Sequence, residues 1–399
     1  MEIAIEGWDV HQESCATVRM SAEGSVLASR TVPTRREELT REAERLAREG
    51  TVVTMEASSA ASYVRRILAE GGARVVVGHP MAIARFRDPK VKDDWVDAKL
   101  LAELYRLHAF PSIHDPSEWA RRAREVCRYR HTLGEEITEV KNRVRALLLR
   151  HGLAEEFRHP FSAGGLATLA RRVKQGKLPR EVTVVVSAEL AALVQFQELA
   201  ARVEGEVARV GEERSDEVER LLSIRGCHVQ LATTILAEID GIERFPTAGQ
   251  LTKYAGLTPG RNESAGVTRE RGITKAGSPT LRWALTMLAE SARKWEPRVR
   301  ELYQRHKERG KKPKEATTAV ARKMGVWIWN MLQRKEAFRH EEGEREEAEA
   351  KWSEKIRARR QRVGRAEQKT TTARELAGVS HVLEGLADEN DRPEGAKAG

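Results

Sequence analysis

Apolar and polar residues alternate along the first part of the chain in the manner of β-strands. Ile3 and Ile5 begin a strand that we predict to end near Asp9. Two further strands are predicted at residues 15–20 and 26–32, separated by a short turn. The pattern therefore predicts an antiparallel meander of three strands.

The next part of the chain alternates between helical and strand patterns. Thr34 and Glu37 have the spacing of a capping box and predict the start of a helix that Gly50 ends. A short apolar strand at 51–55, a second helix and a strand at 73–78 follow. A meander followed by two helix–strand units is the order of elements in an RNase H-like fold.

In an RNase H-like fold the first and fourth strands are neighbours in the sheet. The residues that end these two strands, Asp9 and Glu56, would then lie side by side. We therefore assign residues 1–112 to an α/β domain of this class and expect its functional residues at the ends of those strands.

The middle of the chain, residues 113–215, has the periodicity of long helices. Apolar residues recur there at spacings of three and four, as in the seam of a coiled coil. The two runs are Leu133, Ile137, Val140, Val144 and Leu147, and Phe196, Leu199, Val203, Val207 and Val210. We predict a helical, coiled-coil linker, which fits either an antiparallel hairpin within one chain or a contact between two chains.

A second globular domain, mainly helical, is predicted at residues 216–335, with a glycine-rich loop at 256–277. The segment from Leu221 to His228 fits either a helix-hairpin-helix turn, which would offer backbone N–H groups to a phosphate, or an ordinary corner between helices. The remainder, 336–399, is dense in Arg, Glu and Lys with few large apolar residues. We expect a charged tail that is in part disordered.

Charge indicates the class of partner. The chain has 70 Lys and Arg against 60 Asp and Glu, a net charge of +10 and a pI near 9.6, which favours nucleic acid over a membrane surface. The three cysteines are far apart and have no metal-ligand spacing, which indicates a reducing compartment. We see no signal peptide and no stretch approaching about 18 apolar residues. We therefore expect a cytoplasmic, chromosome-associated protein with no membrane partner.

Four acidic residues stand where chemistry on a phosphodiester would need them. Asp9 and Glu56 end strands, whereas Asp94 and Asp97 open a helix and project from one face of it. Mg²⁺ prefers hard oxygen ligands, and two such ions can activate an attacking oxygen and stabilise a leaving one. Any single acid could be a solvated residue or a helix cap, which is the role we assign to Asp93. Together the four predict a Mg²⁺ site, with Mn²⁺ as the alternative ion.

A serine, Ser264, lies in the glycine-rich loop among several basic residues. A serine hydroxyl becomes a nucleophile when it is activated and when the developing charge is stabilised. The basic residues that could bind phosphates there are Arg261, Arg269, Arg271, Lys275 and Arg282. A serine beside glycine is, however, most often an ordinary turn residue, so spacing alone does not make Ser264 catalytic.

These motifs together resemble the insertion sequence 110 family of transposases, also called the DEDD transposases. Gly-Trp-Asp-Val, Met-Glu-Ala and Asp-Trp-Val-Asp-Ala resemble the RuvC-like N-terminal half of that family. Ala-Gly-Leu-Thr-Pro, Ser-Ala-Gly, Ile-Thr-Lys-Ala-Gly and Leu-Arg resemble its C-terminal half, the Transposase 20 domain. The resemblance covers most of residues 1–335.

The resemblance implies that the four acids bind the metal ions and that Ser264 attacks DNA to form a phosphoserine link. It also implies dimers that pair into tetramers, in which the acids of one protomer meet the serine of another, and a structured RNA that guides the choice of DNA. The chain departs from the family at Arg225, which replaces a proline, at Ser58 and Ser59, which replace Thr-Gly, and at Glu263 beside the serine.

Two other functions remain open from the sequence. A metal-dependent nuclease, such as a Holliday-junction resolvase, would use the four acids alone and form no covalent protein–DNA species. A non-catalytic nucleic-acid-binding protein on a decayed nuclease fold would bind in a salt-sensitive way and cleave nothing. The four filled acidic positions argue against decay.

Overall fold

The computed structural model describes residues 4–87, 93–264 and 267–340 of the 399-residue chain. Contacts divide the chain into two compact units, Met1–Pro116 and Ser117–Gly399. Most of the charged tail predicted for 336–399 lies outside the described residues, which end at 340.

The first unit is an α/β structure built on one five-stranded sheet. Its strands and helices are β1 (Ile5–Val10), β2 (Ser14–Met20), β3 (Val26–Pro33), α1 (Arg36–Glu49), β4 (Val52–Glu56), α2 (Ser59–Glu70), β5 (Arg74–Gly78), α3 (Pro80–Ile83) and α4 (Asp94–Arg106). The strand order is β3-β2-β1-β4-β5, with the first three antiparallel and with β4 and β5 parallel to β1. This is the topology expected of an RNase H-like fold.

The packing of helices on the sheet follows from the side chains that the strands present. Trp8 and Met55 are buried in a core that α1 and α2 cover. Gly7 allows α4 to approach β1 closely, because a Cβ at this position would come 1.9 Å from the carbonyl oxygen of Ala98. The first turn of α4 is thereby brought to the end of β1.

Helix α1 begins differently from the prediction. Its N-cap is Arg35, and no side chain caps it. The hydroxyl of Thr34 instead donates to the carbonyl oxygen of His11 at 3.1 Å, which ties the β1–β2 turn to the end of β3. The capping box predicted from Thr34 and Glu37 is therefore wrong. The predicted end is confirmed, since Gly50 is the C-cap, with a φ of 64°.

The second unit is mainly helical, with one β-hairpin. Its elements are α5 (Glu118–Arg150), α6 (Ala163–Lys174), α7 (Arg180–Glu212), α8 (Ser215–Leu222), α9 (Val229–Ile239), α10 (Ala248–Tyr254), β6 (Pro259–Ser264), β7 (Val267–Ile273), α11 (Pro279–Trp295), α12 (Pro297–Glu308) and α13 (Pro313–Arg334). The glycine-rich loop predicted at 256–277 is largely this antiparallel hairpin of β6 and β7, which corrects the prediction of a loop there.

The two predicted coiled-coil runs lie on α5 and α7, which pack against each other antiparallel within the chain. Arg143 pairs with Glu189 at 2.6 Å, and Arg122 pairs with Glu213 at 2.8 Å, so the residue numbers run in opposite directions. The seam of α5 is buried in a core shared with α6 and α7. The structure therefore shows the hairpin within one chain, and a coiled coil between chains stays a prediction.

Helix α7 contains no run of 18 apolar residues, but its length and mean hydropathy would allow it to cross a membrane. Of the helices in the described part of the chain, α7 alone meets that criterion of length and composition. Part of its apolar surface, including Val182, Val186 and Leu190, packs in the core with α5 and α6. A core helix passes the same test of composition as a membrane span.

The corner between α8 and α9 is buried against α11. Gly226 has a φ of 100°, and a Cβ there would come 2.7 Å from the backbone nitrogen of Ala292. The guanidinium of Arg225 is also buried, with Nη1 3.6 Å from Oε2 of Glu296. Because the corner packs this closely against α11, the structure favours an ordinary helix–helix corner.

Candidate functional site

Asp9 and Glu56 lie at the same end of two neighbouring parallel strands. The register of β1 and β4 pairs Trp8 with Met55, so the two acids are the next residues along their strands. Both side chains are mostly covered, with exposed fractions of 15% for Asp9 and 23% for Glu56. The sheet topology therefore brings together two carboxylates that are far apart in sequence.

The first turn of α4 adds two more acids. Asp93 is the N-cap and accepts a hydrogen bond from the backbone nitrogen of Trp95 at 2.8 Å, which is the capping role assigned to it from the sequence. Asp94 and Asp97 follow in the first helical turn, where carboxylates interact favourably with the helix dipole. We call Asp9, Glu56, Asp94 and Asp97 the carboxylate cluster.

A histidine links the strand part of the cluster to the helix part. Nε2 of His11 lies 3.1 Å from Oδ2 of Asp9 and 3.4 Å from Oδ1 of Asp94. Ligand atoms of Asp9, His11 and Asp94 all lie within 4.8 Å of one another, so these three side chains could hold a metal ion. His11 is absent from the site residues predicted from the sequence. It follows Asp9 by two positions, just beyond the end of β1, and this nearness in sequence was the only signal for it.

An arginine occupies the other half of the cluster. Nη2 of Arg87 lies 2.5 Å from Oε2 of Glu56, and Nε of Arg87 lies 2.9 Å from Oδ1 of Asp97. The planar guanidinium thus bridges a carboxylate of β4 and a carboxylate of α4. Arg87 is also absent from the predicted site residues, because nothing in the sequence distinguishes it among 70 Lys and Arg residues.

The electrostatics of Asp9 show that the cluster shares one environment. Burial raises the pKa of the Asp9 carboxyl, and the hydrogen bond and charge of His11 oppose that rise. The negative charges of Asp97 and Asp94 raise the same pKa further. Because these carboxylates repel one another, the arrangement favours a positive charge among them.

The predicted nucleophile lies in the second unit, at the tip of the β6–β7 hairpin. Ser264 is the last residue of β6, and its backbone pairs with Val267 of β7. Of the predicted phosphate-binding residues, Arg261, Arg269 and Arg271 lie on these strands, and Lys275 and Arg282 follow them. The catalytic role of Ser264 and the nucleic-acid contacts of these basic residues stay predictions.

The base of the hairpin is held by hydrogen bonds to the preceding helix. The backbone nitrogen of Lys275 donates to the oxygen of Gly256 at 3.1 Å. Nη1 of Arg282 donates to the carbonyl oxygens of Ala255 and Lys275, both at 3.2 Å. Arg282 therefore joins the two ends of the hairpin in this structure, which is a role that the sequence analysis did not assign to it.

A buried carboxylate fixes the segment that follows the hairpin. Glu238, on α9, is 1% exposed and accepts a hydrogen bond from the hydroxyl of Ser278 at 2.9 Å. Nε of Arg128 donates to the other oxygen of Glu238 at 2.8 Å. Gly277 allows this close packing, since a Cβ there would come 2.0 Å from the oxygen of Tyr254. These contacts hold the segment at Gly277 and Ser278, which follows the hairpin, in a fixed position.

Two models of protein families match the chain. A DEDD transposase model of the IS110 type matches residues 6–152, which include the carboxylate cluster. The transposase IS116/IS110/IS902 family matches residues 218–304, which include Ser264. The two matches do not overlap and together cover more than half of the chain.

Individual relatives agree with these matches. The chain is 26% identical to the predicted transposase y4qE of Sinorhizobium fredii, over 66% of this chain and 70% of the relative. It is 24% identical to the transposase for insertion sequence element IS1111A of Coxiella burnetii, over 62% and 68%. Among solved structures, T. thermophilus RuvC in complex with a Holliday junction substrate aligns with 12% identity over 28% of this chain and 99% of that chain. The TM-score is 0.22, so this likeness adds nothing to the strand order as support for the fold.

Proposed function

We propose that this chain, which belongs to the IS110 family of transposases, cleaves and exchanges the DNA strands of an insertion sequence. In this proposal the carboxylate cluster holds divalent cations and Ser264 is the nucleophile. The observation that carries the proposal is the convergence of Asp9, Glu56, Asp94 and Asp97 at one end of the sheet.

The residues of the cluster fit divalent cations. Carboxylate oxygens are the donors that Mg²⁺ and Mn²⁺ prefer, and the repulsion among the acids gives a cation a favourable place. Asp9 and Asp94 already share one partner, His11. Glu56 and Asp97 share Arg87, whose guanidinium occupies one oxygen of each carboxylate. When bound, the ions would polarise the scissile phosphate and stabilise the leaving oxygen.

The chain itself supplies the orientation of these carboxylates. Parallel pairing of β1 and β4 sets the spacing of Asp9 and Glu56, and the close contact of α4 at Gly7 sets that of Asp94 and Asp97. Strands and helices are rigid, so the carboxylate oxygens are held close together without the ordering of a loop.

The serine step transfers a phosphoryl group without net gain or loss of charge. The hydroxyl oxygen of Ser264 forms a bond to phosphorus as the bond from phosphorus to the leaving sugar oxygen breaks. The serine proton passes to solvent, and the leaving oxygen takes a proton from solvent. Attack on the phosphoserine by the hydroxyl of another strand reverses these changes and releases the serine.

Two further parts of the proposal come from the family resemblance. We infer that a structured RNA selects the DNA, and that dimers pair into tetramers so that the serine of one protomer meets the acids of another. Size measurement by light scattering of the protein with and without RNA tests the assembly.

Trapping of the covalent intermediate tests the central claim. Full-length protein, Mg²⁺, an element-junction DNA and its candidate RNA are incubated and separated on a denaturing gel. We expect a slow protein–DNA band that disappears in Ser264→Ala. Thr268→Ala, a hydroxyl loss on the other strand of the hairpin, is the matched control and should keep the band.

The other outcomes identify the competing functions. Cleaved DNA without a covalent band in the unmodified protein would replace this proposal with a metal-dependent nuclease. Salt-sensitive binding with no cleavage under any metal or RNA condition would replace it with a non-catalytic nucleic-acid-binding protein.

A further inference from the structure

The positive charge of the chain is concentrated in one helical hairpin near the end of the described residues. Residues 297–340 contain thirteen Arg or Lys and four Glu, an excess of nine, beside a net charge of +10 for the whole chain. This segment comprises α12, the basic turn at 309–312, α13 and the stretch that follows it. Most of it lies beyond residue 304, where the match to the transposase family ends.

Only one side of this hairpin packs into the core. Val299 of α12 and Val320, Met324 and Ile328 of α13 are buried against the rest of the unit. The cationic side chains lie on the other side, since apolar and charged positions alternate with the period of a helix. The result is an exposed basic surface on a rigid support.

Two adjoining cavities open on this surface, of about 320 Å³ and about 170 Å³, and they share Arg298 and Trp327. Their walls bring together five cations and two carboxylates. We call this surface the α12–α13 basic face; its cations are Arg298, Arg305, Lys323, Arg334 and Arg339.

An aromatic ring holds two of the cations close to each other. The guanidinium of Arg298 lies 5.1 Å from the centre of the Trp327 ring, and the ammonium of Lys323 lies 5.7 Å from it. Arg298 also lies 5.6 Å from the centre of the Phe338 ring. Cation–π contacts order these positive charges without neutralising them.

The acids on the face are weak partners for these cations. Arg305 lies 3.7 Å from Glu301, and both side chains are more than half exposed, so their pair contributes little. Arg339 pairs with Glu336 at 2.7 Å, and both of these side chains are exposed as well, so this pair also contributes little. The face therefore keeps an excess of ordered positive charge that an anion would neutralise.

We propose that the α12–α13 basic face binds the phosphodiester backbone of nucleic acid. Arg and Lys are the residues that bind phosphates, by charge-assisted hydrogen bonds and as point charges. The Trp327 ring contacts Arg298 and Lys323, so we expect the face to bind phosphates by charge and to make no sequence-specific contacts with bases. The inference rests on the proposed function and deepens it by naming a backbone-binding surface made of other residues than the carboxylate cluster and the serine hairpin.

Binding measurements on the full chain test this assignment. The probe is a short fluorescein-labelled duplex DNA or an RNA hairpin of similar length, followed by anisotropy over a series of salt concentrations. The test variant is Arg305→Gln with Lys323→Gln, two exposed cations of the cavity wall. The control is Arg143→Gln with Arg209→Gln, which removes the same charge from cations paired with Glu189 and Glu206.

We expect the test variant to bind about tenfold more weakly, and the slope of log affinity against log salt to fall by about 0.9 per lost contact on duplex DNA. The control should keep the slope of the unmodified protein. A loss on DNA alone, on RNA alone or on both identifies which backbone the face holds. An equal change in test and control variants, or no change in either, would overturn the assignment.

Asp9→Ala separates this inference from the proposed function. That variant should lose strand cleavage and keep the salt slope of the unmodified protein. If the unmodified protein cleaves no DNA but the test variant still loses affinity, the basic face stands while the proposed function fails. If cleavage requires Asp9 but the face variants bind normally, the proposed function stands and the face assignment fails.

Discussion

The carboxylate cluster of the first unit and the α12–α13 basic face of the second unit are both dense in charge, but they assemble in opposite ways. The four acids come from β1, β4 and α4, and each half of the cluster has a basic side chain among its partners, His11 or Arg87. The cations of the face come from one contiguous segment, and two of them, Arg298 and Lys323, contact aromatic rings.

The two arrangements of charge suit different functions. Charges that converge from distant segments have their geometry fixed by the fold, which suits a site where a reacting group must be placed accurately. Charges spread along two neighbouring helices form a track, which suits an extended polyanion held at many points. The comparison therefore separates a place for chemistry from a place for binding.

The largest expected effect tests the chemical half of the comparison. Asp9→Ala should reduce strand cleavage by at least about a thousandfold, or about 4 kcal/mol of transition-state stabilisation, because a central oxygen ligand is lost. Single-turnover cleavage with Mg²⁺ measures this. Asp93→Ala removes the neighbouring helix cap and serves as control, with activity retained. Equal losses of cleavage in both variants would contradict a specific role of Asp9 in cleavage.

The second unit also contains a tightly paired carboxylate, the buried Glu238, and replacing it tests how much such pairing contributes to stability. Glu238→Gln leaves Arg128 and Ser278 with a neutral partner and should lower the free energy of unfolding by about 1–3 kcal/mol. Glu204→Gln, which affects a part-exposed and longer pair with Arg130 at 3.4 Å, should cost less than about 1 kcal/mol. Urea unfolding gives both values, and a loss no greater than the control would show that the anchor is weak.

Arg87 tests whether the cluster already contains a competitor for metal ions. Removing the guanidinium in Arg87→Ala should tighten Mn²⁺ binding about fivefold, the equivalent of about 1 kcal/mol for a part-exposed ion pair. Titration calorimetry on metal-free protein measures this without any need for cleavage. Exposed Arg85→Ala is the control and should bind as before. Weaker binding in Arg87→Ala would mean that Arg87 positions the acids instead of competing.

The smallest expected effect concerns the stability of the basic face. Arg305→Gln with Lys323→Gln should change the free energy of unfolding by less than about 0.5 kcal/mol, because both side chains are exposed and weakly paired. The same urea measurement applies. A larger loss would mean that these cations stabilise the helical hairpin, and the contrast with the carboxylate cluster would then disappear.

Local pattern was enough to predict most of the elements of the first unit. The alternation in the strands and the end of α1 at Gly50 depend on residues that are neighbours in sequence. The order of the strands and helices along the chain then predicted the pairing of β1 with β4. The capping box at Thr34 failed, because the hydroxyl donates to His11 in another turn. The hairpin at 259–273 was mistaken for a loop, because its glycines and polar residues weaken the alternation of a strand.

By itself the sequence determined which acids could form a site, where the net positive charge lies, and that 133–147 and 196–210 have apolar seams. Those properties follow from residue type and from a period along the chain. Only the tertiary structure decided the partners: Arg87 between Glu56 and Asp97, His11 between Asp9 and Asp94, and α5 against α7 in one chain. The partner of each side chain depends on the distance between segments that are remote in sequence, and packing of the core sets that distance. Polar groups that are buried in the process then take the hydrogen-bond partners within reach.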